Sequence, residues 1–133
     1  MSTTLEQLEA QNKIVAVRGE IGIVAAALDS LGAYEQAATS CATAMNADGG
    51  MAEAVVAALS SADVAAAARA VITRGGGEDS RLERELTEAA ITACKRSERQ
   101  CAPHADHHDH CRLHAATARD TIAALKSLLA ALS

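Results

Sequence analysis

The sequence predicts an all-α fold, an antiparallel four-helix bundle with an additional N-terminal helical segment. Alanine, which loses no side-chain entropy in a helix, accounts for 33 of the 133 residues. β-branched or aromatic runs with the period of two that marks strands are nearly absent, and the chain has one tyrosine and no phenylalanine or tryptophan. Glycine- and proline-bearing breaks divide the chain into helix-length segments, which favours four helices with short connections.

The N-terminal part has helical spacing of apolar residues but no single clear boundary. Residues 4–30 carry an imperfect apolar stripe, and residues 33–47 are again helical and end at the NADGG turn. Since one straight helix over both segments would be too long for a compact domain of this size, we expect a break near 29–33. We therefore divide the chain into an N-terminal helical extension, 1–32, and a four-helix-bundle metal-binding domain, 33–133.

The next three helices have clearer limits. Residues 51–74 form a helix that ends at a glycine triplet, and a further helix spans roughly residues 79–101. Pro103 then interrupts the chain. We expect the last helix to begin near Asp106, a suitable N-cap, and to run to about Leu132.

Charge and hydropathy exclude several classes of function. A formal net charge of −5 argues against a nucleic-acid partner, because phosphate binding needs a basic patch. We find no apolar run that approaches the ~18 residues a membrane span needs, and no secretory signal. We therefore expect a cytoplasmic protein without a membrane partner, whose four cysteines are reduced thiols.

All five histidines and two of the four cysteines lie in one stretch, CAPHADHHDHCRLH, at residues 101–114. On a helix at about 100° per residue, His107, His110, Cys111 and His114 share one arc about 100° wide. The pair His107/Cys111, four residues apart, and the pair Cys111/His114, three apart, place donors on adjacent turns. Four side chains with nitrogen or sulfur donor atoms thus lie on one side of the last helix.

The preceding helix carries Cys94 and Cys101 seven residues apart, on a face that runs toward the same turn. Thiolate and imidazole are the ligands of Zn²⁺ and Cu⁺. If the two helices are antiparallel neighbours, donors from both converge at one end of the bundle. A lone cysteine on an alanine-rich face is more often a small buried hydrophobe, and we interpret Cys41, and Cys94 taken alone, in that way.

The stretch HADHHDHCRLHAATARDTIAAL resembles the last helix of the four-helix-bundle copper storage proteins, which begins with a histidine-rich turn and continues in cysteine repeats. His110 and Cys111 follow that pattern, with His114 at a usual cysteine place. Three earlier segments, QAATSCATAM, SSADVAAAARAVITR and TEAAITACKRSERQC, are similar to the family's first three helices in order and spacing. The resemblance covers roughly residues 33–130 and implies the bundle fold.

The resemblance also implies copper as the metal, held as Cu⁺ by thiolates that line the bundle core. This chain has only four cysteines, and Ser61, Ala65, Ala90 and Ser97 occupy cysteine places. We therefore expect one or a few ions at the histidine-rich end, above an aliphatic core, and no bulk storage. The ligands expected first are Cys101, Cys111, His107 and His114, followed by His104, His110 and Cys94.

Copper handling or sensing is the leading hypothesis, and three alternatives stay open. The same mixed site could support copper-dependent oxidation of a small-molecule substrate. Two cysteines and two histidines from residues 101–114 would suit a structural Zn²⁺. The bundle could also be a scaffold that binds no metal. The resemblance further implies association of bundles, which allows a homo-oligomer.

Overall fold

The computed structural model describes residues 3–75 and 79–132, and all regular secondary structure in these ranges is helical. The helices are α1 (Thr4–Asn12), α2 (Ile21–Asp48), α3 (Ala52–Arg74), α4 (Arg81–Cys101) and α5 (Asp109–Ala131), with a short 3₁₀ helix at Ala102–His104. The all-α prediction is therefore confirmed. Residues 76–78, which include two glycines of the predicted linker 75–77, lie outside the described residues.

Helices α2 to α5 form a closed ring in which each helix contacts two neighbours, α2 and α4 each packing against α3 and α5. Neighbours run antiparallel: Cys41, late in α2, meets His110 at the start of α5, whereas Thr121, later in α5, bonds to the carbonyl of Ser30. Helix α1 packs against α2 outside the ring. The predicted antiparallel four-helix bundle with an N-terminal helical segment is confirmed.

The helix break expected near residues 29–33 is wrong, because α2 continues through this stretch. Leu31 and Tyr34 are both fully buried there and belong to one continuous inward stripe. Gly32 does not end the helix, and its missing side chain makes room for a neighbour. A Cβ at that position would lie 3.1 Å from Nη1 of Arg69 on α3.

The chain breaks earlier, in the segment 13–20 between α1 and α2. Gly19 adopts a φ of 74°, a conformation that costs little only for glycine, and α2 begins two residues later. Because the predicted boundary at residue 32 falls inside α2, we propose that the N-terminal extension ends in this segment instead.

The extension is packed onto the bundle. Thr3 and Glu6 form a reciprocal capping box that starts α1. Leu8 is 1% exposed, and Gln11 Nε2 donates to the carbonyl of Arg74 at 3.0 Å. The N-terminal helix therefore covers one side of α2 and the end of α3.

The turn between α4 and α5 displaces the start of the last helix. Pro103 has no N–H and interrupts the helical hydrogen bonds, so a 3₁₀ turn follows α4. The N–H groups of His107 and His108 then both bond to the carbonyl of His104. Helix α5 consequently begins later than the predicted N-cap, Asp106, and its N-cap is His108.

The bundle core has two chemically different halves. Where α2 begins and α5 ends, the buried side chains are aliphatic: Val24, Leu28, Leu31, Ile72, Leu125, Leu128 and Leu132. Toward the opposite end, the buried side chains carry sulfur, imidazole and hydroxyl groups: Cys41, Ser61, Ser97, Cys101, Cys111 and His114. The aliphatic half supplies apolar burial, at about 25 cal/mol per Å², while the other half concentrates the chemistry.

By length and composition alone, α3 is the one described helix that is apolar enough to cross a membrane. The expectation from the sequence concerned an uninterrupted apolar run, whereas α3 contains the charged residues Glu53 and Asp63. Alanine supplies most of this apolar character, and inward residues such as Ala58 and Ala65 are fully buried against the neighbouring helices. Core helices of bundles meet the same criterion.

We expect Gly19→Ala to lower the free energy of unfolding by about 1–2 kcal/mol, because alanine is strained at a positive φ. Gly22→Ala is the matched control, since Gly22 is exposed in the first turn of α2 and a Cβ there meets nothing within 4 Å. That control should be neutral or stabilising by about 0.5–1 kcal/mol. Urea unfolding followed by circular dichroism measures both, and equal effects would contradict the role given to Gly19.

Candidate metal centre

Three cysteines from three helices meet at the histidine-rich end of the bundle. Cys41 lies near the end of α2, Cys101 is the last residue of α4, and Cys111 lies in the first turn of α5. None of the three is more than 1% exposed. The antiparallel ring brings them together, because α2 and α4 end where α5 begins.

These cysteines and two histidines form two triads that share Cys41. The inner triad is Cys41, Cys101 and His114, and the outer triad is Cys41, Cys111 and His110; in each, the three ligand atoms lie within 4.8 Å of one another. His114 Nδ1 is 3.3 Å from Cys101 Sγ. His110 Nδ1 is 3.4 Å from Sγ of both Cys41 and Cys111. Each triad presents sulfur and imidazole nitrogen to one small volume, which suits a soft metal ion.

A chain of buried hydrogen bonds fixes the ring of His114. Its Nε2 lies 3.1 Å from the hydroxyl oxygen of Tyr34. That hydroxyl donates to Ser61 Oγ at 2.7 Å, and Ser61 donates in turn to a backbone carbonyl. Since the tyrosine proton is already engaged, Nε2 of His114 is the donor to the tyrosine oxygen. The lone pair of the neutral ring is therefore on Nδ1, which faces Cys101.

Mutual contact and burial move the pKa values of the thiols apart. A hydrogen bond from the thiol of Cys41 lowers the pKa of Cys101 against the effect of its burial. The pKa of Cys41 is raised, because its thiol donates that bond and is itself buried. Burial also raises the pKa of Cys111. The first thiolate of the cluster therefore forms at Cys101, where its charge is best stabilised.

Four of the seven predicted ligands lie in the triads: Cys101, Cys111, His110 and His114. No triad contains both Cys101 and Cys111, which are both among the ligands expected first. Each of them groups instead with Cys41 on α2. The donor atoms of α4 and α5 lie together, and the thiol of Cys41 from a third helix, α2, lies with them.

Three predicted ligands belong to no such group among the described residues. His107 is exposed in the turn before α5, because the helix begins after it and the predicted one-turn relation to Cys111 is lost. His104 is half-buried, with its ring centroid 6.4 Å from that of His108. Cys94 lies two turns deeper on α4, where burial raises the pKa of its thiol to about 12 and it contacts Tyr34.

Two residues with donor atoms at this end were not predicted as ligands. Cys41 was interpreted as a core residue; it is buried, yet it also belongs to both triads. Its similarity to a cysteine place in the first helix of the resembled family was the signal that could have identified it. Asp48, beside His108 and His110, had no such signal, because aspartate at a helix end is common.

Comparison with known proteins identifies the family. A family model described as copper storage protein matches residues 22–130. A comparison with curated proteins found no match.

Solved structures of one bacterial protein are similar over nearly the whole chain. The copper storage protein Ccsp from Streptomyces lividans, loaded with 10 copper equivalents, has a TM-score of 0.89 at 28% identity, covering 98% of this chain and 100% of that one. The cytosolic copper storage protein of the same organism with five coppers has a TM-score of 0.79 at 30% identity, covering 84% and 96%. A histidine-to-alanine mutant of Ccsp has a TM-score of 0.81 at 29% identity, covering 86% and 98%. With its match over residues 22–130, the chain belongs to the copper storage protein family.

Proposed function

We propose that this chain binds copper as Cu⁺ at low stoichiometry, about two ions per chain, in the two triads. Cys101 and His114 hold one ion, Cys111 and His110 hold the other, and the thiolate of Cys41 bridges both. The protein then handles or senses copper and does not store it in bulk. The observation that carries the proposal is the position of the Cys41 thiol between two cysteine–histidine pairs.

The chemistry of the donors supports Cu⁺. Thiolate is a soft ligand that selects Cu⁺, and imidazole completes a site with about three donors for each ion. All three thiols are buried, so isolated thiolate charges there would be costly. Two Cu⁺ ions offset most of that charge, which couples metal binding to loss of the thiol protons.

His114 supports the inner position because its ring needs no rearrangement to bind. The hydrogen bond from Nε2 to Tyr34 holds the proton on that nitrogen and leaves the Nδ1 lone pair beside Cys101. Hydrogen bonds to the second ring nitrogen commonly fix the tautomer of a metal-binding histidine. Ser97, whose Oγ lies 3.0 Å from Nε2, adds a second partner on the same side.

The interior below the inner triad supports a low capacity. Tyr34, Ser61 and Ser97 fill that level with hydrogen-bonded hydroxyl groups. Cys94 is the only other cysteine in the chain, and its thiol stays protonated because burial raises its pKa to about 12. The related Ccsp structure contains 10 copper equivalents, a number for which four cysteines supply too few thiolates.

An open groove gives the outer triad an approach from solvent. The groove has a volume of about 420 Å³, runs between α2 and α5, and is lined by Cys41, His110 and apolar side chains such as Leu113. His114 is fully buried. We therefore place copper at the outer triad first, with the shared thiolate of Cys41 passing an ion inward.

The zinc and oxidative alternatives use the same donors and differ in the ion and its redox behaviour. Two cysteines and two histidines from residues 101–114 do not meet as one tetrahedral set, because His110 and His114 lie in separate triads. This separation favours copper over a structural Zn²⁺. Elemental analysis of protein purified without added metal distinguishes the two ions, and redox cycling of bound copper would favour the enzyme.

Location and association are also part of the proposal. A cytoplasmic location, which matches the cytosolic description of the Streptomyces lividans protein, would keep the thiols reduced. Copies of the chain could associate through exposed apolar side chains on α3, where Val56 is 54% and Leu59 is 45% exposed.

Anaerobic titration with Cu⁺ against a chromogenic chelator should saturate at about two equivalents per chain. Cys41→Ser should remove most of the chelator-resistant copper, because serine oxygen is a poor ligand for Cu⁺ and both triads lose a donor. Cys94→Ser is the matched control and should retain both equivalents.

Three outcomes of this titration would contradict the proposal. Saturation above about four equivalents would show that the interior stores copper despite its few thiolates. Equal losses in Cys41→Ser and Cys94→Ser would remove the bridging role of Cys41. If the chelator removes all copper from the unmodified chain and from both variants alike, the bundle is a scaffold without a copper site.

Ser97→Cys should raise the saturation point by about one equivalent, because a new thiolate would lie beside His114 and Cys101 at a level now filled by hydroxyls. Ser127→Cys makes the same substitution on the exposed side of α5 and should leave chelator-resistant copper unchanged. An unchanged saturation point in Ser97→Cys would show that hydroxyl groups at this level do not limit capacity.

A further inference from the structure

An open groove lies where α1 packs outside the ring, between α1, α2 and α3. It has a volume of about 450 Å³, within the range of small-molecule sites, and the buried side chains of Leu8 and Leu28 form part of its lining. Arg69 of α3 and Asp29 of α2 are the charged residues that line it. We propose that this groove, the α1 groove, binds a free α-amino acid with a polar side chain, whose carboxylate pairs with Arg69 and whose ammonium group pairs with Asp29.

Arg69 keeps donors available for a carboxylate. Its Nη2 pairs with Oε2 of Glu35 at 3.2 Å, whereas Nη1 donates to no partner among the described residues. Nη1 lies over Gly32, where an added Cβ would be only 3.1 Å away. Glycine inside a helix is destabilising relative to alanine, and here it leaves the space that the guanidinium occupies. Because the planar guanidinium has five N–H donors, it can bind Glu35 and a ligand carboxylate at the same time.

Asp29 supplies the opposite charge one turn before Gly32 on α2. Its Oδ1 accepts a hydrogen bond from the hydroxyl of Thr4, and Oδ2 has no partner among the described residues. Residues three apart on a helix are neighbours, with about 5–6 Å between Cβ atoms. Asp29 and Arg69 nevertheless do not pair with each other, since Arg69 pairs with Glu35. The groove therefore has opposite charges at short range with space between them, which suits the ammonium and carboxylate groups of one α-amino acid.

The balance of charge favours a neutral zwitterion over a simple anion or cation. Arg69 is the one cationic side chain of the lining, while Asp29 in the groove and Glu35 beside it are anionic. Two carboxylates would repel a ligand with only a negative charge, and the guanidinium would repel one with only a positive charge. An α-amino acid has no net charge and places each of its charged groups beside the opposite one.

The uncharged part of the lining favours a polar side chain on the ligand. Gln7 of α1 and Gln36 of α2 line the groove, and their side-chain amides bond to no described residue. Gln11 donates from Nε2 to the carbonyl of Arg74 and keeps its own amide oxygen as an acceptor. Since an amide both donates and accepts, these groups can bind an amide or hydroxyl group of the ligand in either direction. L-Glutamine combines an amide with the two charged groups and is therefore a suitable probe.

A heteronuclear NMR titration of the full chain with L-glutamine tests the site, because the side-chain amides of Gln7 and Gln36 give signals of their own. These signals should shift on binding. Glutaramate, which lacks the ammonium group of L-glutamine, and γ-aminobutyramide, which lacks its carboxylate, should each bind about tenfold more weakly. No shift at millimolar L-glutamine, or equal affinity for all three compounds, would overturn the proposal. Equal affinity for L-leucine would overturn the preference for a polar side chain.

Variants of the lining locate the binding. Arg69→Gln and Asp29→Asn should each weaken L-glutamine binding about tenfold, because each removes one charged contact. Gly32→Ala removes no charge but should also weaken binding, since its Cβ displaces the guanidinium. Arg119→Gln is the matched control: Arg119 pairs with Glu98 of a neighbouring helix at 3.3 Å, outside the groove, and its loss should leave the affinity unchanged. Unchanged affinity in both Arg69→Gln and Asp29→Asn would overturn the proposal.

The α1 groove is independent of the proposed copper sites. Asp29 precedes Cys41 on α2 by about 18 Å of helix. Arg69→Gln and Asp29→Asn retain all thiols and should keep the Cu⁺ stoichiometry of the unmodified chain, so failure of either function would be seen separately. Far-UV circular dichroism verifies the fold of each variant.

Discussion

The contact on which the site depends is that of the Cys41 thiol with donors from α4 and α5. Cys101 and Cys111 belong to no common group, so neither helix can form a triad without α2. One residue of helix corresponds to a rotation of about 100°, and a slip of that size would turn the Cys41 thiol away from both partners. The long unbroken α2, held by buried Leu31 and Tyr34, prevents such a slip.

Below the triads, the core contains hydrogen-bonded hydroxyl groups at the level where the resemblance to copper storage proteins implies thiolates. Buried hydroxyl and imidazole groups are costly unless each finds a partner, and here they form one directed chain from His114 through Tyr34 to Ser61. The chain also orients the histidine toward Cys101. Burying these polar groups costs free energy, and the leucines of α2 and α5 that pack in the aliphatic half of the core offset it.

Donor chemistry changes gradually along the end of the bundle. The inner triad has two sulfurs and a fully enclosed imidazole. The outer triad has two sulfurs and a partly exposed imidazole, and the outermost group has one carboxylate and two imidazoles. Softer ligands are thus the most deeply buried and harder ligands lie nearest to water. The ring of His110, with one nitrogen toward sulfur and the other toward Asp48, joins the two environments.

The sequence by itself determined the helical class, the helices α3 and α4 to within about two residues, and the end of the bundle that carries the chemistry. These depend on local properties: alanine content, glycine and proline breaks, and clustered histidines. Only the tertiary structure decided that α2 passes through residues 29–33, that α5 begins after His107, and that Cys41 joins both triads. Each of these depends on packing or hydrogen bonds between residues distant in sequence or across a turn, which periodicity along one helix does not encode.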